Sequence, residues 1–182
     1  MKIAESHLVY LGLGSNLGEK KENIRRAIAL IGEQIGVVER QSALYDSEPW
    51  GFESANRFVN AVVCVSTTLS PHRLLRATQR IERQLGKTAQ HATERPLPQG
   101  SAASPCEESS ILNLPLGSAA WLVQESSVYK DRPIDIDILL YDDLHIDTPK
   151  LKIPHPLMQE RDFVMVPLRE ICPTYADPEP SR

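Results

Sequence analysis

The sequence predicts an α+β fold in which an antiparallel sheet carries helices on one face. Three observations lead to this prediction: short apolar runs typical of strands, two segments with apolar residues at helical spacing, and one run in which isoleucine and aspartate alternate. The 182 residues suit one domain that is large enough to bury a core and too short for two full catalytic domains.

A strand, a helix and two further strands are predicted in the first part of the chain. Residues 7–13 form an apolar run typical of a buried strand, and the glycines of 14–18 predict the turn that ends it. Isoleucine and alanine recur at helical spacing across 19–35, which predicts an amphipathic helix. Residues 37–45 and the valine-rich run 58–67 are then predicted as strands.

A second helix and a fourth strand complete the predicted core. Ser70 followed by Pro71 is a favourable helix start, and the apolar stripe that follows ends at Gly86. The run from Arg132 to Tyr141 supplies the last strand. The order strand-helix-strand-strand-helix-strand is that of the ferredoxin-like βαββαβ fold, which leaves one sheet face available for a ligand. We expect an active-site groove on that face.

The domain prediction is a single domain over 1–172 that is interrupted by an insertion. Residues 88–127 contain many turn formers and no sustained periodicity, and such a length is unusual for a connection inside a compact domain. Residues 173–182 carry several prolines and are predicted to form a trailing tail.

Composition limits the classes of partner and compartment. A net charge of −4 gives no general attraction to nucleic acid or acidic membranes, and no apolar run is long enough to span a bilayer. Cys64, Cys106 and Cys172 have no CxxC spacing and follow no signal peptide, so we expect a reducing, cytoplasmic location. Cys64 is predicted to be a small core residue.

Asp135 and Asp137 stand two residues apart in the fourth strand, so an extended chain points both carboxylates to one face. Neighbouring isoleucines point to the other face, toward the helices. Two adjacent anions repel unless a divalent cation bridges them or one stays protonated, so the pair indicates phosphate chemistry. An edge strand with one solvated face is the alternative interpretation.

The glycine-rich segment 12–18 resembles a phosphate loop without completing a known signature. The third glycine of GxGxxG would have to stand at Leu17, and no Gly-Lys-Ser/Thr follows for a Walker A loop. A turn that redirects the chain explains the glycines equally well. In nucleotidyltransferases of the polymerase-beta type, Gly-Ser and Asp-x-Asp lie close together, whereas here more than a hundred residues separate them.

Residues 153–168 bring a histidine, an arginine and an aromatic ring together after a proline-bounded turn. Arg161 can bind phosphate oxygens through its forked donors, and a nearby histidine can donate to the same group. Phe163 offers a flat stacking surface. His155 could alternatively cap the helix that follows.

Four motifs together resemble the 6-hydroxymethyl-7,8-dihydropterin pyrophosphokinase family of folate biosynthesis. They are Gly12-Leu-Gly-Ser-Asn16, Phe58-Val-Asn60, Arg132-Pro-Ile-Asp-Ile-Asp-Ile-Leu139 and Pro154-His-Pro-Leu-Met-Gln-Glu-Arg161. The resemblance extends over about 7–171, apart from the insertion. It implies a transferase that moves the terminal diphosphate of ATP onto the pterin hydroxymethyl group and releases AMP.

The resemblance also implies roles for individual residues. Two Mg²⁺ ions held by Asp135 and Asp137 would be the cofactor, with ATP and the pterin as the partners. The implied catalytic group comprises Asp135, Asp137, Arg132 and Lys87. The implied pterin pocket comprises Ser47, Pro49, Trp50, Phe58, Asn60 and Phe163. The implied ATP site comprises Gln79, Glu82, Tyr129, Arg132, Ile138, His155 and Arg161.

Three of these residues have a plain structural alternative. Asn60 would pair with the amide edge of the pterin, but a buried amide could instead be satisfied by a neighbouring loop. Gln79 and Glu82 lie three apart on one helix face, and without the resemblance both would be interpreted as solvated.

The chain departs from the family pattern around the insertion. The family usually has two arginines after the second helix, where this chain has Lys87 and Ala89, and Tyr129 stands in place of a loop tryptophan. Arg95 or Lys130 could substitute for the missing cation. An alternative is therefore a pterin- and nucleotide-binding module with impaired transfer, and a second is an unrelated ferredoxin-like regulatory domain. We expect a monomer or a weak homodimer.

Overall fold

Seven strands and three α-helices make up the residues that the computed structural model describes, which are 5–51, 54–86 and 131–175. The elements are β1 (His7–Ser15), α1 (Lys20–Gln34), β2 (Gly36–Gln41), β3 (Tyr45–Ser47), β4 (Phe58–Thr67), α2 (Pro71–Gln84), β5 (Asp135–Tyr141), β6 (Ile146–Thr148), β7 (Leu151–Ile153) and α3 (Asp162–Ile171).

The central sheet has the strand order β2-β4-β1-β5, with the short β3 also paired to β4. Every pairing in it is antiparallel. The two longest strands, β1 and β4, lie side by side in the middle, and β5 lies at an edge next to β1. This is the predicted ferredoxin-like arrangement, so the α+β fold class is confirmed.

Helices α1 and α2 cover one face of the sheet, because each presents an apolar stripe to it. Ile24 and Ile31 of α1 and Leu74 and Ile81 of α2 are fully buried in one core with side chains from β1, β4 and β5. Burying a side chain of this size contributes about 1.5–3 kcal/mol relative to leaving it exposed. The helical stripes predicted from the sequence are therefore the ones that dock this layer.

Helix α3 packs on part of the opposite face and forms a second core there. Met165 and Leu168 of α3 are buried against Tyr10 of β1 and against Val62 and Cys64 of β4. Cys64 is fully buried, as predicted for a small core residue. The face expected to hold the groove is thus shared between this helix and an open cleft beside it.

Several element bounds differ from the sequence prediction. Strand β1 continues through Ser15, so Gly14 lies inside a strand instead of a turn. The predicted strand 37–45 is divided into β2 and β3 by an irregular segment. The β6–β7 hairpin was not predicted, and residues 173–175, expected in the tail, form a short 3₁₀ turn.

The predicted insertion at 88–127 and the rest of the predicted tail lie outside the described residues, and so does Cys106. Within the described ranges, no helix combines the length and apolar character needed to cross a bilayer.

Gly36 at the start of β2 gives a test of the packing between β2 and β4. A Cβ atom added there would overlap the carbonyl oxygen of Ser66, and only backbone movement can relieve that overlap. Gly36→Ala is expected to lower the free energy of unfolding, measured by denaturant titration, by about 1–3 kcal/mol.

The matched control is Gly32→Ala on the exposed side of α1, where an added Cβ meets nothing within 4 Å. It should raise the free energy of unfolding by about 0.5–1 kcal/mol, since alanine is the better helix former. A Gly36→Ala variant as stable as the native chain would contradict the described register.

Candidate functional site

An open cleft lies on the sheet face beside α3. Its floor comes from β1, β4 and β5, and its walls come from the loop after β3 and from the segment that leads into α3. Three carboxylates and two guanidinium groups line it among the described residues: Glu48, Asp135, Asp137, Arg132 and Arg161.

The strand register places chemically different side chains on opposite sides of β1. Gly14 is paired with Asn60 of β4 on one side and with Asp135 of β5 on the other. Gly12, in the next row on the same face, is paired with Asp137. Because neighbouring strands are roughly 4.8 Å apart, the Asn60 and Asp135 backbones lie roughly 10 Å apart across the glycine strand.

Glycine at these two positions leaves the cleft floor flat. A Cβ atom at Gly14 would stand 3.3 Å from Asn60 Oδ1 and 3.6 Å from Phe58 Cδ1. A Cβ atom at Gly12 would stand 3.4 Å from the side chain of Leu139. Side chains here would fill the space directly above the floor. In this glycine-rich segment Gly12 and Gly14 lie in a strand, whereas Gly18, with a φ of +63°, lies in the bend before α1.

The alternation in β5 is the predicted one. Ile134, Ile136 and Ile138 are buried in the core under α1 and α2. Asp135 and Asp137 line the cleft on the other face. The Asp135 side chain is 19% exposed and forms an ion pair with Arg132, with 3.0 Å between Oδ2 and Nη2. The carboxylate pair therefore stands at the edge of a cleft, a less solvated place than an ordinary exposed strand face.

Asn60 is 5% exposed, and its amide is bonded within the protein. Its Nδ2 donates to Ser47 Oγ at 2.9 Å and to the Tyr45 carbonyl oxygen at 3.3 Å, both on β3. Since a carbonyl oxygen can only accept, this bond fixes the orientation of the amide and turns Oδ1 toward the cleft floor at Gly14. The neighbouring strand β3 thus satisfies the amide nitrogen of Asn60, whereas the amide oxygen faces the cleft.

Aromatic rings and guanidinium groups lie together in the cleft. The Arg132 guanidinium lies over the Phe58 ring at 5.5 Å. The buried Arg161 guanidinium lies 4.4 Å from the Trp50 ring centre and 5.9 Å from that of Phe163. All five residues line the cleft. Ser47 does so too, and Pro49 stands between lining residues in the same loop.

His155 lies beside the cleft in a largely enclosed position. Burial lowers its pKa, and the Arg161 charge lowers it further, while Asp135 acts in the opposite direction. Its Nδ1 accepts a hydrogen bond from the Leu157 backbone N–H at 3.4 Å. A neutral ring that accepts at Nδ1 carries its proton on Nε2, so His155 can donate from that atom. The predicted capping role of His155 is limited to this hydrogen bond with the Leu157 backbone.

Three predicted ATP-site residues, on α2 and β5, are not among the residues that line the cleft. Ile138 is 5% exposed, and its side chain lies in the core because alternation turns it away from the cleft. Glu82 is 7% exposed, and its Oε1 accepts from the Ile136 backbone N–H at 2.9 Å. Burial makes the solvated alternative wrong for Glu82, whereas Gln79 is exposed.

Glu82 therefore contacts the sheet at Ile136, the residue between the two aspartates. The predicted site residues Lys87 and Tyr129, and the suggested substitutes Arg95 and Lys130, lie outside the described residues. Sequence reasoning did not single out Glu48, which lines the cleft, or Asp131, which precedes Arg132. Neither carries a periodic or motif signal that would have identified it.

Fold and cleft together define a class: a ferredoxin-like protein whose cleft has aromatic rings and an amide on one side of β1 and a carboxylate pair on the other. Residues 10–98 and 119–173 match the profile of the 7,8-dihydro-6-hydroxymethylpterin-pyrophosphokinase family. The chain belongs to this family.

Two curated relatives agree with this assignment. The chain is similar to the 2-amino-4-hydroxy-6-hydroxymethyldihydropteridine pyrophosphokinase of Porphyromonas gingivalis, with 36% identity over 167 residues that cover 91% of each chain. It is 33% identical to the enzyme of the same name from Bacillus subtilis, over 92% of this chain and 79% of that one.

Solved structures support the fold. The Plasmodium falciparum HPPK-DHPS protein aligns with 93% of this chain at a TM-score of 0.57 and 14% identity. This chain spans 41% of that longer protein.

The lowered pKa of His155 predicts how stability depends on pH. Near pH 6.5 and below, the unfolded chain binds more protons at this position than the folded protein does. The stability that neutral His155 contributes is therefore fully present above that pH and is lost on acidification. His155→Gln is expected to reduce the fall in unfolding free energy between pH 7 and pH 5, measured by denaturant titration at each pH.

His72→Gln, which removes an exposed imidazole from α2, is the control. If the His155 variant and the native chain lost stability equally over this pH range, the conclusion that His155 is enclosed and neutral would be refuted.

Proposed function

We propose that this cleft transfers the terminal diphosphate of ATP to the hydroxymethyl group of 6-hydroxymethyl-7,8-dihydropterin, with AMP as the leaving group. This is the reaction of the family to which the chain belongs, a step of folate biosynthesis. The observation that carries the assignment to this cleft is the register row in which Gly14 separates Asn60 from Asp135. Along this row, the proposed site for the pterin ring lies next to the proposed site for the metal-bound phosphate.

The pterin is proposed to lie on the Asn60 side. Asn60 Oδ1 can accept from an N–H group at the ring edge, and its orientation is fixed by its two bonds to β3. Phe58 and Phe163 supply aromatic faces for the ring, and Trp50 closes the wall above them. The flat floor at Gly14 allows the ring to approach the sheet, which a larger residue would prevent.

The nucleotide is proposed to lie on the Asp135 side with Mg²⁺. Within the described ranges no group of three or more potential metal ligands occurs, and Asp135 and Asp137 form a carboxylate pair there. That donor set fits Mg²⁺, which usually takes one or two carboxylates and completes its shell with water and substrate phosphates. When bound between Asp135 and Asp137, two such ions would neutralise phosphate charge and orient the reacting oxygens.

The chain's own cations supply the rest of the electrostatic stabilisation. Diphosphate transfer asks for positioning and for fixed positive charge where the bridging oxygen departs, and little covalent chemistry. Arg161 is held in place by burial and by the Trp50 ring, and Arg132 is held by Asp135. His155, neutral with its proton on Nε2, can donate to a phosphate oxygen. We include Lys87 and Tyr129 in the ATP site on the family resemblance alone.

The test is incubation of the purified protein with ATP, Mg²⁺ and the hydroxymethyl dihydropterin, followed by separation of the nucleotides. AMP and the pterin diphosphate should form in equal amounts, and chelation of Mg²⁺ should stop the reaction. Asp135→Asn and Asp137→Asn should each lower kcat by about a hundred-fold or more, because each removes one charge from the metal site at nearly constant volume.

Asp143→Asn, which removes an exposed carboxylate from the turn after β5, should keep the native rate. Pterin binding by the native chain without AMP release would support the binding module. Absence of binding would refute the proposed site, and ADP as the product would refute diphosphate transfer.

A further inference from the structure

Asp131 stands immediately before Arg132 and joins three segments of the chain. Its Oδ1 accepts from Asn16 Nδ2 at 2.6 Å and from Ser54 Oγ at 2.6 Å. Its Oδ2 accepts from Asn56 Nδ2 at 2.7 Å. One carboxylate thus connects the end of β1, the loop before β4 and the approach to β5.

Asn16 extends this connection to the backbone of Arg132. Its Oδ1 accepts from the Arg132 N–H at 2.7 Å, and its own N–H donates to the Arg132 carbonyl oxygen at 3.1 Å. Asn16 is 2% exposed, so these bonds are shielded from water. The backbone of Arg132 is therefore held on both sides, while its side chain reaches Asp135 and the Phe58 ring.

The loop held by Asp131 leads into the pterin side of the cleft. The Asn56 N–H donates to Ser54 Oγ at 3.0 Å, which shapes the loop into a turn. Arg57 pairs with Glu48 at 2.6 Å, and Glu48 lines the cleft. Phe58 follows directly. The same carboxylate therefore fixes both chain segments whose side chains, Phe58 and Arg132, lie against each other.

A carboxylate suits this position better than any neutral side chain. All three partners donate, and only an ionised carboxylate accepts at both oxygens. An asparagine would turn its own NH₂ toward Asn56 or toward the other two donors. The same hydrogen bonds, with that from Ser54 as the largest cause, hold the pKa of Asp131 below its usual value.

We propose that Asp131 is a positioning residue for diphosphate transfer, which aligns Arg132 with Asp135 and fixes the loop 54–57 beside the pterin. It acts on kcat through Arg132 and on pterin binding through the loop, and it does not contact the reacting atoms. The proposal rests on the proposed function. It differs from a purely structural role in one measurable respect, since its effect on kcat should depend on the presence of the Arg132 guanidinium.

The experiment is a double-mutant cycle on kcat with the full chain, at a temperature well below the unfolding midpoint of every variant. Asp131→Ala should lower kcat about ten- to hundred-fold, as expected for loss of hydrogen bonds to a charged acceptor. Combined with Arg132→Ala, it should add less than about a two-fold further loss. Asp131→Asn should fall between alanine and the native residue, and Asp143→Ala should be unchanged.

Asn56→Ala keeps the test decisive if the alanine variant at 131 does not fold. It removes one of the three bonds, and we expect a loss of about three- to ten-fold in kcat/KM for the pterin. Native kinetics in both variants, or losses at Asp131 and Arg132 that multiply in full, would overturn the positioning role while leaving the proposed function intact. Absence of AMP release by the native chain would instead overturn the proposed function, and this inference with it.

Discussion

The register between β1 and its two neighbours is the constraint on which the site depends. Because β1 is glycine at alternate positions on the cleft face, it separates the amide of β4 from the carboxylates of β5 without filling the space above it. A shift of one residue would turn the aspartates into the core and the isoleucines into the cleft. The core under α1 and α2 therefore fixes the chemistry of the opposite face.

Both guanidinium groups that line the cleft lie against other cleft side chains. Arg132 pairs with Asp135, and Arg161 lies near the Trp50 and Phe163 rings and close to His155, whose pKa it helps to lower. Polar groups held in this way cost little reorganisation when a polyphosphate enters. Glu82 contributes from the other face, because its bond to the Ile136 backbone holds β5 where both carboxylates point into the cleft.

The spacing of apolar residues in the sequence predicted the helices and strands that bury one face. The alternation around Asp135 gave the correct faces of β5, and the helical stripes gave α1 and α2. Contacts between distant segments could not be predicted, since no local pattern encodes the burial of Glu82 or the three bonds to Asp131. A helix after His155 was expected without bounds, and α3 includes Pro167. Ile138 was assigned to the ATP site by resemblance, and alternation turns its side chain into the core.

The most direct test of this account is the distance between the bound metal and the bound pterin. With Mn²⁺ in place of Mg²⁺ and a non-hydrolysable ATP analogue, paramagnetic broadening of the pterin proton signals reports that distance. The register of Asn60, Gly14 and Asp135 predicts strong broadening of the hydroxymethyl protons, which disappears in Asp137→Asn although the pterin still binds. Sharp hydroxymethyl signals with all ligands bound to the native chain would contradict it.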